Sequence, residues 1–175
     1  LEKQLFLLIL LFLILKNMKL KINRVVKNWK YAPLLKYKED FIQNPVSFGR
    51  RYAPQKLDVD LWKKAYAEFN INPKKEDSYL GCIVMHHYEE GACTQKHKDK
   101  TEPGFVHVRV NVMLKKPPKG GDIIVDDEFI SLEKNDLWII LTNLEVHSST
   151  PIEGGDRYIY SFGSLIPLDE VKHIC

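Results

Sequence analysis

An antiparallel β-barrel or jelly roll is the fold class that this 175-residue chain predicts. Three observations carry that expectation. From residue 79 onward the chain breaks into roughly eight short β-rich runs. In the longest, Val106, Val108, Val110 and Val112 alternate with His107, Arg109, Asn111 and Met113, a period of two that only a strand reads as two faces. Turn signals separate the runs (PPKGG at 117–121, DDE at 126–128, KND at 134–136), with no helical spacing between them.

The elements follow in order. Residues 19–57 read as an irregular lead-in with a short strand at Leu20–Val26 and a helix around Leu34–Gln43. Asp58–Phe69 is a stronger helix: Asp58 or Asp60 can cap it, Leu61, Ala65 and Phe69 share a face, and Pro73 follows its end. One or two N-terminal helices are thus expected to pack on the outside of a mainly β domain. Strands are expected at Leu80–Tyr88, Val106–Met113, Asp122–Val125, Phe129–Leu132, Leu137–Leu141, Glu145–His147 and Arg157–Leu165.

The length suits one domain with a real core, taken here as residues 18–175. A net charge of +3 is too small to indicate a nucleic-acid partner, and none is expected. Cys82, Cys93 and Cys175 form neither a disulfide framework nor a zinc spacing, which fits buried thiols in a reducing, cytoplasmic setting. Leu5–Leu15 is an unbroken apolar run of eleven residues, shorter than the roughly twenty that span a bilayer. Residues 1–17 are therefore expected to be upstream or targeting-like sequence rather than a membrane span, with Met18 as the start. The stretch Lys16–Lys38 has eight Lys or Arg and no acid, which a solvated edge explains.

The chemistry lies in KHKDK (96–100) and EVHSSTPIEGGDRYIYSF (145–162). His97 and Asp99 are two apart, so on a strand both leave the same face. His147 and Arg157 follow further on. Two imidazoles and a carboxylate can hold Fe(II) on one face of an octahedron and leave three positions open. A 2-oxo acid can fill two of those and O2 the third. Arg157, a strand away, can fork onto a second carboxylate, which points to 2-oxoglutarate. Taken singly, KHKDK is a solvated loop and Arg157 a surface cation; order and spacing together favour the iron site. A zinc hydrolase could use the same triad but would leave Arg157 without a role. On the strand, Arg157, Ile159 and Ser161 share the inward face, with Ser161 a small filler, while Tyr158, Tyr160 and Phe162 lie under the outer helix.

The chain from about 79 to 167 resembles the 2-oxoglutarate/Fe(II)-dependent dioxygenases, and more closely their prolyl 4-hydroxylase-like group. The pieces that carry the resemblance are the H-x-D at His97 and Asp99, RVNVMLKKPPKGGD (109–122), NDLWIILTNLEVHSSTPI (135–152) and GGDRYIYSFG (154–163). The resemblance implies a double-stranded β-helix with iron on His97, Asp99 and His147 and the distal carboxylate of 2-oxoglutarate on Arg157. It also implies O2 as co-reactant, ascorbate as a stimulant, and Tyr88 lining the cosubstrate pocket. Arg109 and Asn111 are further cosubstrate candidates. The implied activity is hydroxylation of an unactivated C–H, with a prolyl residue in a peptide as the first candidate substrate. A free amino acid or other small molecule, or a non-catalytic jelly-roll binding module, are the alternatives. Two departures stand out. Thr94 sits three before the first ligand, where relatives often carry an aromatic. Gly163 stands where nucleic-acid demethylases of the superfamily have a second arginine, which sets that activity aside.

Overall fold

The computed structural model describes residues 6, 19–44, 47–73, 75–76 and 81–175. The apolar run and the expectations placed on residues 1–17 lie outside the described residues, Phe6 apart. No helix among the described residues is long and apolar enough to cross a membrane.

The protein is mainly β, built from two antiparallel sheets. The strands are β1 (Val25–Val26), β2 (Ile42–Gln43), β3 (Arg50–Pro54), β4 (Lys75–Glu76), β5 (Cys82–His87), β6 (Phe105–Lys115), β7 (Ile123–Val125), β8 (Glu128–Ile130), β9 (Leu137–Leu141), β10 (His147–Ser149) and β11 (Arg157–Pro167). Among the described residues the large sheet runs β1-β9-β6-β11-β5-β3-β2, with β4 also on β11, and the small sheet runs β10-β7-β8. Register fixes what faces inward. Arg157 is opposite His87, Ser161 is opposite Asn111 on one side and Ile83 on the other, and Arg109 is opposite Gly163 and Ile140.

The valines of β6 take the outer face. Val106, Val108, Val110 and Val112 are fully buried with Leu61, Trp62, Ala65, Tyr66 and Phe69. Each such large side chain contributes about 1.5–3 kcal/mol by leaving water. The helix Val59–Ala67 begins where Asp58 accepts from the backbone N–H groups of Asp60 and Leu61, so Asp58 is the cap. The Tyr66 hydroxyl reaches the carbonyl oxygens of Val108 and Phe162, at 2.8 and 3.0 Å, and so docks the helix on β6 and β11. A second cluster, including Met113, Ile123, Val125, Leu132, Trp138, Ile140 and Ile159, fills the space between the sheets.

The lead-in departs from expectation. In place of a helix around Leu34–Gln43 there is a single 3-10 turn, Ala32–Leu34, and then extended chain. Gln55 holds that chain open: its side chain accepts from Lys38 N at 2.8 Å and donates to Lys38 O at 2.9 Å, imitating a strand neighbour. Phe41 then seats on His86, with ring centres 5.2 Å apart, and Ile42 pairs with Tyr52. Tertiary partners override the local helical spacing here. Strand β3, unexpected from the sequence, extends the large sheet beside β5.

Candidate metal centre and anion pocket

His97 and His147 come from segments 50 residues apart in sequence and pair as an isolated antiparallel bridge, with N–H···O distances of 3.1 and 2.9 Å. Their rings lie 4.3 Å apart. Asp99 is tethered on the same side through its backbone N–H to Thr142 O, 2.8 Å. One donor atom from each of His97, Asp99 and His147 lies within 4.8 Å of the others. His97 Nε2 and Asp99 Oδ1 lie 3.3 Å apart.

Each imidazole has its other nitrogen committed. His97 Nδ1 sits 2.6 Å from Gln95 O, and His147 Nδ1 sits 3.1 Å from Glu145 O. A ring nitrogen facing a carbonyl must carry the proton, so in the neutral form of each ring Nε2 presents a lone pair, while a protonated His97 donates from Nε2 to Asp99. Burial opposes the Asp99 charge, yet the His97 hydrogen bond, the fields of His147 and His107, and the Thr142 hydroxyl outweigh it. The carboxyl is held at about 2. His147 is pushed below its usual value by burial, while His97 is raised by its bond to Asp99. Two neutral-capable imidazoles beside an ionised carboxylate are a donor set that could hold a divalent first-row metal.

The cluster opens into a cavity of about 390 Å³ whose lining includes Arg50, Tyr52, Met85, Thr94, Arg109, Asn111, Trp138, Ile140, Arg157 and Ile159. Arg157 starts β11, is 1% exposed, and its Nε has no hydrogen-bond partner among the described residues. Burial, reinforced by Arg50 and opposed by Asp122, pushes the guanidinium down to about 9. Asp122 is already spoken for: it pairs with Lys116 Nζ at 2.6 Å and accepts from Leu132 N at 2.9 Å. A buried cation without its own anion is costly, so Arg157 could receive one from a ligand. Gly121 shapes the floor: its φ is +71°, and a Cβ there would lie 3.1 Å from Arg157 Cδ.

The remaining expected residues divide. Asn111 and Arg109 line the cavity, and Arg109 Nη1 donates to Ser161 Oγ at 2.9 Å, which makes Ser161 an acceptor as well as a filler. Tyr88 goes elsewhere. Its hydroxyl donates to Gln43 Oε1 at 3.1 Å, its ring lies 5.5 Å from His86 and under Arg51, and it is not part of the cavity wall. Strand alternation is the reason: His87, opposite Arg157, takes the inward position, and Tyr88 falls past the end of β5. Thr94 lies in the wall, with its Oγ1 3.3 Å from His87 Nε2 and 3.4 Å from Arg50 Nη1. His87 is held well below its usual value by burial and by Arg157 and Arg50, so it is neutral. The sequence reading missed Arg50, His87, His107 and Thr142. The last two brace Asp99: His107 Nδ1 stands 3.6 Å from Asp99 Oδ2. The period-two parity of β6 could have exposed His107, which shares a face with Arg109 and Asn111.

The fold is that of known prolyl hydroxylases. A Trichoplax adhaerens prolyl hydroxylase, in complex with a peptide fragment of the hypoxia inducible factor oxygen degradation domain, superposes with a TM-score of 0.55 at 13% identity, covering 83% of this chain and 84% of that one. The viral collagen prolyl hydroxylase of Paramecium Bursaria Chlorella virus-1, in its 2-oxoglutarate complex, gives 0.51 at 18% identity, with 70% and 81% covered. A Pseudomonas putida prolyl-4-hydroxylase gives 0.50 at 18% identity, with 74% and 78% covered. No family model matches the chain, and no curated protein matches its sequence.

Proposed function

We propose that this chain is an Fe(II)- and 2-oxoglutarate-dependent oxygenase that hydroxylates an unactivated C–H bond. One observation carries the proposal: a His–Asp–His donor cluster and a fully buried, anion-seeking arginine share a single cavity. His97, Asp99 and His147 would hold the metal, and Arg157 would take the distal carboxylate of 2-oxoglutarate. Iron with the 2-oxo acid bound supplies the oxidising chemistry, in which O2 and 2-oxoglutarate are consumed and CO2 and succinate released.

The chain's own residues do the rest. His107 and Thr142 keep the Asp99 carboxylate oriented, and the carbonyls of Gln95 and Glu145 fix the tautomers of the two ligand histidines. Met85, Trp138, Ile140 and Ile159 keep the cavity dry, which strengthens the Arg157–carboxylate attraction. A zinc hydrolase would use the triad and leave Arg157 buried for no purpose. The catalytic unit is taken as residues 79–167 within a single domain.

The likeness in fold to prolyl hydroxylases supports including a prolyl residue in a peptide among the substrates to test, alongside small molecules. The experiment is an aerobic incubation with Fe(II), 2-oxoglutarate and ascorbate, scoring succinate and a one-oxygen mass gain on candidate substrates. Succinate that depends on Fe(II) and is lost in His147→Ala is the expected result. Absence of Fe(II)-dependent succinate with every substrate, together with no 2-oxoglutarate binding, would exclude the assignment.

A further inference from the structure

The cavity lining holds three arginines, Arg50, Arg109 and Arg157, against one carboxylate, Asp99. A divalent metal on the cluster would raise the positive excess, since Asp99 is then consumed as a ligand. One dianionic 2-oxoglutarate would offset only two of these positive charges, with its distal carboxylate taken by Arg157. A positive excess remains.

Arg50 is where that excess has no answer. It is half-buried on β3, directly opposite His87. Its guanidinium makes no ion pair among the described residues, and the one hydrogen bond that it makes to them is a long contact, 3.4 Å, to the neutral hydroxyl of Thr94. It nonetheless lines the same cavity as Asp99, His97, Arg109 and Arg157, close enough for their charges to act on one another. An arginine pressed toward two other arginines in a drying cavity is unfavourable unless an anion joins it.

We propose that Arg50 binds a carboxylate of the primary substrate, so that the hydroxylated compound is a free carboxylic acid of amino-acid size rather than a neutral peptide segment. This rests on the oxygenase assignment and adds the substrate class. The cavity supports it in a second way. At about 390 Å³ it is at the small end of ligand pockets, which run roughly 300–1,000 Å³. Arg50 shares this small cavity with His97, Asp99 and His147, so one compact molecule could hold its carboxylate on Arg50 and its reacting carbon near the cluster. Lysine would serve less well at this position, because the planar fork can meet both carboxylate oxygens at once.

The test uses the full-length protein loaded with Mn(II) and 2-oxoglutarate, titrated calorimetrically with the twenty L-amino acids and with their α-amides. At least one free acid should bind, and its amide should bind about 30-fold more weakly or worse, as loss of one member of a buried charge pair requires. Arg50→Gln should bring the acid down to the affinity of its amide, while Arg50→Lys recovers part of the loss. In both variants 2-oxoglutarate should bind within about threefold of the parent, which also shows that they are folded. Amides that bind as well as acids, or no binding by any acid, would overturn the inference. So would an Arg50→Gln variant that loses 2-oxoglutarate as severely as Arg157→Gln does, since Arg50 would then belong to the cosubstrate site. Preference for a C-amidated proline peptide, undiminished in Arg50→Gln, would overturn it in favour of the peptide. Each of these outcomes leaves 2-oxoglutarate binding by the parent protein intact. Loss of that binding strikes the oxygenase assignment instead.

Discussion

The Glu145 carbonyl oxygen lies 3.1 Å from His147 Nδ1, while the carboxylate of the same residue takes a two-armed ion pair from Arg24 at 2.7 and 3.0 Å. Glu145 also accepts from Leu141 N at 2.7 Å. One buried acid therefore ties the N-terminal lead-in, the end of β9 and a candidate metal ligand together. Glu145→Ala leaves the Arg24 charge and one backbone donor unpaired. The loss should be about 2–3 kcal/mol, near the low end for a broken buried pair because Arg24 keeps some contact with water. Urea unfolding checks the stability, and a titration with Mn(II) should show weaker metal binding in the same variant.

Metal binding should divide the residues around Asp99 by role. Asp99→Ala should abolish Mn(II) binding as followed by electron paramagnetic resonance. Thr142→Val removes only a brace, and should weaken binding by about 10–100-fold. Equal effects from the two would mean that Asp99 does not touch the metal.

Arg157→Gln should raise the dissociation constant for 2-oxoglutarate by about 30-fold or more, since a buried carboxylate would lose its charge partner. Metal affinity should move by less than about threefold, on the grounds that Arg157 is not among the donor atoms. A parallel loss of both would assign Arg157 to the scaffold.

Stability should depend on pH through His86. Burial and the adjacent Arg51 hold its ring below the ordinary value of 6.5, and Asp156 only partly offsets them. The folded protein therefore binds fewer protons than the unfolded chain just below pH 6.5. Stability is present above that pH and is lost as the pH falls through it toward the folded value. His87 shifts in the same direction. The urea midpoint should drop between pH 7 and pH 5, and His86→Asn should flatten part of that drop. An unchanged slope in the variant would place the effect elsewhere.

The parts of this molecule that were legible in its sequence are those where one physical rule acts alone. Strict alternation in β6 exposed a strand with two faces, and an Asp before an apolar spacing exposed the capped helix. The closeness of His97 and Asp99 was legible because H-x-D states its geometry locally. Tyr88 was misplaced because parity at a strand end depends on where the strand stops, which the neighbouring ladder decides. Arg50 was missed because Arg50–Pro54 carries no apolar alternation, and β3 exists through its pairing with β5. The extended chain near Lys38 depends on a single glutamine side chain 17 residues away.

Gly120 and Gly121 both adopt left-handed backbone, with φ of +69° and +71°, and a Cβ on Gly120 would fall 1.7 Å from Pro151 O. The loops at 117–122 and 151–155 are thereby pressed together, backbone to backbone, with Lys119 and Glu153 paired across them. That pins the chain just ahead of Arg157, the first residue of β11, so Gly120→Ala should force the two loops apart, lower the urea midpoint and weaken 2-oxoglutarate binding together.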